Sequence, residues 1–152
     1  MLNSERLTIK SAEAIQSAIA EATRRGNPSL EDLHILNALL GQDETVVTPI
    51  LQKVGVNIPR LQESLGRALE RLPKQTGGST PGVSRELNQI FDVAQAQATS
   101  LKDEYVSTEH LLLGLAGVKG STTKELLAEQ GANLDDLKEA LEAVRGSHRV
   151  TD

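Results

Sequence analysis

The chain repeats itself. Sliding the sequence against itself by 76 residues brings its punctuation into register without a gap. His34 meets His110, Leu36 meets Leu112, Leu39 meets Leu115, Gly55 meets Gly131 and Asn57 meets Asn133. Leu61 and Leu65 meet Leu137 and Leu141, and 14 of the 66 positions from 5–70 are identical to their counterparts in 81–146. Many of the others are conservative, among them Thr8/Ser84, Ile15/Phe91, Ile50/Leu126 and Ile58/Leu134. A period this long, kept through every turn, is the mark of a duplicated supersecondary unit. The fold must therefore be built from two equivalent halves.

Each half reads as four helices. The first runs from about Ile9 to Arg24, with Thr8 as N-cap, and its partner from about Arg85 to Leu101, with Ser84 as N-cap. In the second copy Leu87, Ile90, Phe91, Ala94 and Ala98 recur at helical spacing. The first copy has the smaller Ser11, Ala14, Ile15, Ala18 and Ala22 there, which suits close helix approach. The second helix of each half carries leucines: Leu33, Leu36, Leu39 and Leu40, or Leu111, Leu112 and Leu115. The third ends at Gly55 or Gly131, each followed by an apolar residue, as a left-handed C′ position requires. Asn57 and Asn133 then cap the fourth, where Pro59 in the first turn does no harm. The expected fold is all-α: eight helices in two pseudo-two-fold related four-helix repeats.

Composition agrees with helices. Phe91 and Tyr105 are the aromatic residues, so the core must be aliphatic, which suits packed helices better than a β-sandwich. With no cysteine, disulfide scaffolds and thiolate zinc sites are excluded, and a reducing cytoplasm is the natural compartment. The start, MLNSERLTIK, does not read as a secretory signal. The stretch Leu111–Ala116 is far short of the roughly 20 apolar residues of a membrane span, so no membrane partner is expected. A net charge of −5 with scattered Lys and Arg argues against nucleic acid.

Boundaries follow from the same reading. Residues 1–146 form one domain, with halves at about 5–71 and 84–146 joined by a linker at 72–83, whose LPKQTGGSTPGV cannot continue a helix. Residues 147–152 read as the start of a flexible connection to further chain.

Catalytic motifs are missing. Gly77-Gly78 lacks the Gly-Lys-Ser/Thr of a phosphate loop, and His34, His110 and His148 have no ligand spacing, so no metal is expected. A hydrolase built on Thr8 or Ser107 would need an adjacent base that the spacing does not supply, and both positions suit helix caps. As repeat equivalents, His34 and His110 read as a shared packing or hydrogen-bonding pair near a helix start. Asp103, Glu104 and Glu109 flank a loop and a helix start, where acids ordinarily serve the helix dipole or contact a partner.

The segment KDEYVSTEHLLLGL, residues 102–115, is similar to the signature of the Clp N-terminal domain family. LTIKSAEAI, LEDLHILNALL, KVGVN and AEQGAN fall where that family's double repeat has them, and ERLPK with a GGS-containing linker resembles its disaggregase branch. The resemblance implies a substrate-binding domain, not itself an enzyme. It would belong to a longer hexameric AAA+ ATPase that binds ATP and Mg outside this chain and threads unfolded or aggregated polypeptides through its pore. This chain would need no cofactor and would be monomeric alone. The alternative occupant is an adaptor protein or co-chaperone, as in the family's protease-associated branch.

For the site, the expectation is an apolar floor with a polar rim where the two copies face each other. Ile15 and Phe91, equivalent across the repeat, are the candidate apolar contacts, with Phe91 as anchor. The resemblance supplies Thr8, Asp103 and Glu109 as the rim. Leu33 stands where the second copy has Glu109, so a polar site built on that glutamate is one-sided.

Overall fold

Hydroxyl and amide caps set the helix starts. Thr8 Oγ1 accepts from Ser11 N–H at 3.2 Å and opens α1 (Ile9–Arg25). Its counterpart, Ser84 Oγ, accepts from Leu87 N–H at 3.1 Å and opens α5 (Arg85–Ser100). Asn57 and Asn133 cap α4 (Ile58–Glu70) and α8 (Leu134–Arg145) in the same way. The remaining helices are α2 (Asp32–Leu40), α3 (Val47–Lys53), α6 (Thr108–Gly117) and α7 (Thr122–Glu129). The computed structural model describes residues 3–78 and 80–146, and the stretch 147–152 lies outside the described residues. Among those described there are eight α-helices in two sets of four, as the repeat demands.

α2 and α6 occupy the centre. Every residue from Thr108 to Ala116 is buried, as are Asp32–Leu36, Leu39 and Leu40. A helix apolar on all sides must be enclosed, and the other six helices enclose these two. Close approach is built into the second half, where Gly114 faces α5. A Cβ there would stand 2.6 Å from the carbonyl oxygen of Ile90. The third helices end as expected, with Gly55 (φ +89°) and Gly131 (φ +82°) left-handed. The N–H groups of Val56 and Ala132 then return to Leu51 O and Leu127 O.

Short strand pairings tie the halves together and are not visible in the sequence pattern. β1 (Ser29–Leu30) pairs in parallel with β2 (Gly82–Val83), and Leu7 bridges Val106 in parallel. Adding 76 to Leu7 gives Val83, and subtracting 76 from Val106 gives Leu30, so the two pairings are the same contact made twice. Even the hydrogen bonds correspond: Thr8 N–H to Val106 O at 3.1 Å, and Ser84 N–H to Leu30 O at 3.0 Å. That exchange defines the pseudo-two-fold.

The segment expected to be a linker needs one correction. Its exposed stretch is irregular, but Gln75 N–H donates to Gly26 O, Asn27 Nδ2 donates to Pro73 O, and Pro81 is buried. Gly82 and Val83, counted with the linker on their glycine and proline neighbours, pair as β2, so ordered contacts begin before residue 84.

Candidate functional site

A groove of about 660 Å³ opens where four pieces of chain converge. One wall is Leu7–Lys10 at the start of α1, and another is the turn Glu44–Val46 before α3. Opposite lie Tyr105 and Ser107–Glu109 at the start of α6, with Val144 and Arg145 from the last turn of α8. Elements of both halves therefore line it. Ile9, on its lip, is 81 % exposed, and an isoleucine this bare at the edge of a cleft offers an apolar contact to a ligand.

Of the residues singled out from sequence, the structure brings Thr8 and Glu109 together in this groove. The Thr8 hydroxyl is engaged as a cap, accepting from Ser11 N–H and donating to Ser11 Oγ at 3.0 Å. Glu109 is 7 % exposed, with no hydrogen bond or ion pair to the described residues. The charge of Arg145 acts on it from across the groove, and a carboxylate buried that far with no hydrogen bond of its own gains from a ligand's donor.

Asp103 is corrected: it is not a rim residue. Its side chain is 0 % exposed and accepts two hydrogen bonds from Arg145, Nη1 to Oδ2 at 2.8 Å and Nη2 to Oδ1 at 2.6 Å. Oδ2 also accepts from His110 Nε2 at 2.7 Å. The carboxylate sits beneath the groove and holds Arg145, which lines it. Phe91 is also corrected. At 6 % exposure on the buried face of α5 it is core, held there by Leu87, Ile90, Ala94 and Ala98 on the same stripe. Ile15 is half-buried against the core and does not line the groove.

Sequence reasoning missed Ile9, Tyr105, Val144 and the Glu44–Val46 turn. One signal was available. Ile9 lies opposite the buried stripe Ser11, Ala14, Ala18 and Ala22, so a large apolar residue there has no core to enter.

The histidines do what their equivalence suggested. Ser107 N–H donates to His110 Nδ1 at 2.8 Å, and Glu31 N–H donates to His34 Nδ1 at 2.9 Å, each closing the first turn of a central helix. With Nδ1 accepting, the proton resides on Nε2, which donates to Asp103 in one half and to Asn27 Oδ1 (2.8 Å) in the other. Asn27 and Asp103 are themselves repeat equivalents. Burial holds both imidazoles below the usual histidine range, in His110 against the opposing pull of Asp103, so both are neutral. The hydrogen bonds that Arg145 donates to Asp103 raise its pKa, and it stays charged. Among the described residues no group of three or more His, Asp or Glu is placed to hold a metal ion, and no helix is long and apolar enough to cross a membrane.

Two fused copies of one four-helix unit, wrapped about two buried central helices and leaving a groove where the copies meet, define a duplicated helical repeat domain. The chain belongs to the Clp repeat (R) N-terminal domain family, whose model matches residues 6–130. It is 40 % identical over 148 residues to the chaperone protein ClpB of Rhodopirellula baltica, covering 97 % of this chain. It is 43 % identical over 145 residues to ClpB of Mycobacterium bovis, covering 95 %. In both cases the match spans 17 % of the relative's length. Among solved structures it resembles the N-terminal domain of Hsp104 from Candida albicans, with TM-score 0.84, 23 % identity and coverage of 96 % of this chain and 95 % of that one. It also resembles a ClpV N-domain solved in complex with a VipB peptide, with TM-score 0.76, 17 % identity and coverage of 92 % and 87 %.

Proposed function

We propose that this chain is the polypeptide-capturing N-terminal domain of an ATP-dependent chaperone, and that it takes up exposed apolar segments of unfolded or aggregated proteins. The observation that carries the reading is the groove between the halves, with Ile9 bare on its lip and, in its wall, the Glu109 carboxylate, which has no hydrogen bond among the described residues. An apolar contact beside a few placed polar groups is how helical modules hold a segment of another chain. The similarity to ClpB chaperones supports the chaperone assignment, and the peptide bound by a ClpV N-domain supports a polypeptide as occupant. ATP and Mg would be bound outside these 152 residues, in a ring assembled by the rest of the protein. Thr8 positions the groove's first wall by capping α1, Asp103 holds Arg145 in place, and Ile9 and Glu109 make the contacts.

Fluorescence anisotropy with a labelled, reduced and carboxymethylated model protein tests this. The wild-type chain binds it without an adaptor. Ile9→Asp, on an exposed side chain, weakens binding at least about tenfold, equivalent to about 1.4 kcal/mol, at unchanged melting temperature. Binding unaltered in Ile9→Asp places the segment elsewhere. Binding that appears only with an added folded adaptor points to the docking role instead.

A further inference from the structure

The two halves part company at one pair of equivalent points. Asp32, at the start of α2, accepts through Oδ2 from the backbone N–H of Thr123 at 2.9 Å, and the Thr123 hydroxyl lies 3.1 Å from the same oxygen. Both residues are buried. A carboxylate from the first half thus clasps the first turn of α7 in the second, where unpaired helix N–H groups favour negative charge. Ser121, also buried, caps α7 beside it by accepting from Lys124 N–H.

The pseudo-two-fold carries Asp32 onto Thr108 and Thr123 onto Val47. Threonine brings no carboxylate to that position, and the charged clasp on a backbone N–H is not repeated there. Val47 N–H instead meets Thr45 Oγ1 at 3.4 Å, a long contact within its own turn. Thr108, Thr45 and Val46 all line the groove, which therefore opens where the clasp is lacking. The turn itself carries a second difference. Glu44 holds φ +61°, the left-handed conformation that its equivalent, Gly120, adopts at φ +86° without a Cβ to clash. The turn on the groove is thus unclasped and strained, and its counterpart is clasped and relaxed.

We infer that the Glu44–Val46 turn is the moving wall that admits a polypeptide segment, and that the Asp32–Thr123 bond denies the same movement to the counterpart turn, so the domain takes one segment and not two. This rests on the groove being the polypeptide site. It adds which wall moves and what fixes the other.

Backbone amide exchange on the whole chain, read with binding of the same carboxymethylated model protein, tests it. In the wild type, the amides of Val47 and Thr48 exchange at least about tenfold faster than those of Thr123 and Lys124. Grafting the clasp with Val47→Thr and Thr108→Asp slows exchange at 47 and 48 to match, and lowers capture at least about tenfold. Asp32→Asn, outside the groove, speeds exchange at Thr123 and leaves capture in place. Equal protection of the two turns in the wild type overturns the inference, as does a graft that protects the turn without loss of capture, or an Asp32→Asn chain with unaltered exchange. If the graft does not fold, the wild-type comparison and Asp32→Asn decide. If the wild type captures nothing, the functional reading fails, while the exchange contrast still judges the turn.

Discussion

Arg145 closes on Asp103 through two parallel hydrogen bonds, fastening the last residue of α8 to the turn between α5 and α6. In the first half the equivalent positions are Leu69 and Asn27, an aliphatic side chain and a neutral amide. One copy meets the need of a buried histidine with an amide, and the other with an ion pair.

Removing one member of such a pair strands the other in a place water cannot reach. Asp103→Ala therefore destabilises the chain by about 3–5 kcal/mol. Replacing both members by the other copy's residues, Asp103→Asn with Arg145→Leu, restores most of that loss, because His110 keeps an acceptor and neither member of the ion pair strands the other. Urea unfolding of Asp103→Ala and of the double variant measures the recovery.

Acid should weaken the fold in two stages. His34 and His110 are held neutral by burial, below their unfolded range. A depressed histidine is protonated first in the unfolded chain. Stability is then level above the ordinary histidine value, about 6.5, and falls as pH drops below it. Glu21 and Glu70, lowered chiefly by hydrogen bonds to Arg25, add their loss only further down, as pH falls below the ordinary carboxylate value of 4.5. Urea midpoints between pH 8 and pH 4 follow the first stage. The ring NMR shifts of His34 and His110 in the native chain leave their neutral values only at a pH below that of an ordinary histidine.

Two glycines in helices should respond in opposite directions to alanine. Gly114→Ala forces a Cβ against Ile90 O and the backbone of α5, so it destabilises by about 1–3 kcal/mol. Gly66, inside α4 with nothing within 4 Å of its missing Cβ, accepts alanine with a gain of about 0.5–1 kcal/mol. Thermal melts of the two variants distinguish close packing from simple helix propensity.

Phe91→Ala separates core from contact surface. The side chain fills the α5 face of the interior, so truncation lowers stability by about 3–5 kcal/mol. Binding per folded molecule stays at the wild-type level, a comparison that a melt and a titration on the same sample provide.

The eight helices and most caps could be read from sequence because they depend on neighbours three or four residues away, and the duplication because it holds one offset of 76 residues throughout. The site was legible only in part. The family resemblance offers Thr8 and Glu109 as candidates, and both line the groove. Asp103 was misplaced because its partner lies 42 residues further on, at a position where the other copy has leucine. No local pattern announces that ion pair. Phe91 was read as an anchor because it is the chain's lone phenylalanine, yet its spacing with Leu87 and Ala94 belongs to the core stripe. β1 and β2 are two residues each, too short for any alternation to show.

The crossed pairings of Leu7 with Val106 and Leu30 with Val83 bear on where such a chain comes from. Each half supplies the edge that the other lacks, so neither is a finished protein alone. Two unlinked copies of a single half could satisfy the same contacts about a true two-fold axis. The molecule is laid out as such a homodimer would be if joined into one chain, and a joined chain is free of the requirement that its two faces stay alike. One face kept an open groove and a bare isoleucine. The other was free to accept Asp32 and Thr123, whose bond ties the halves together there.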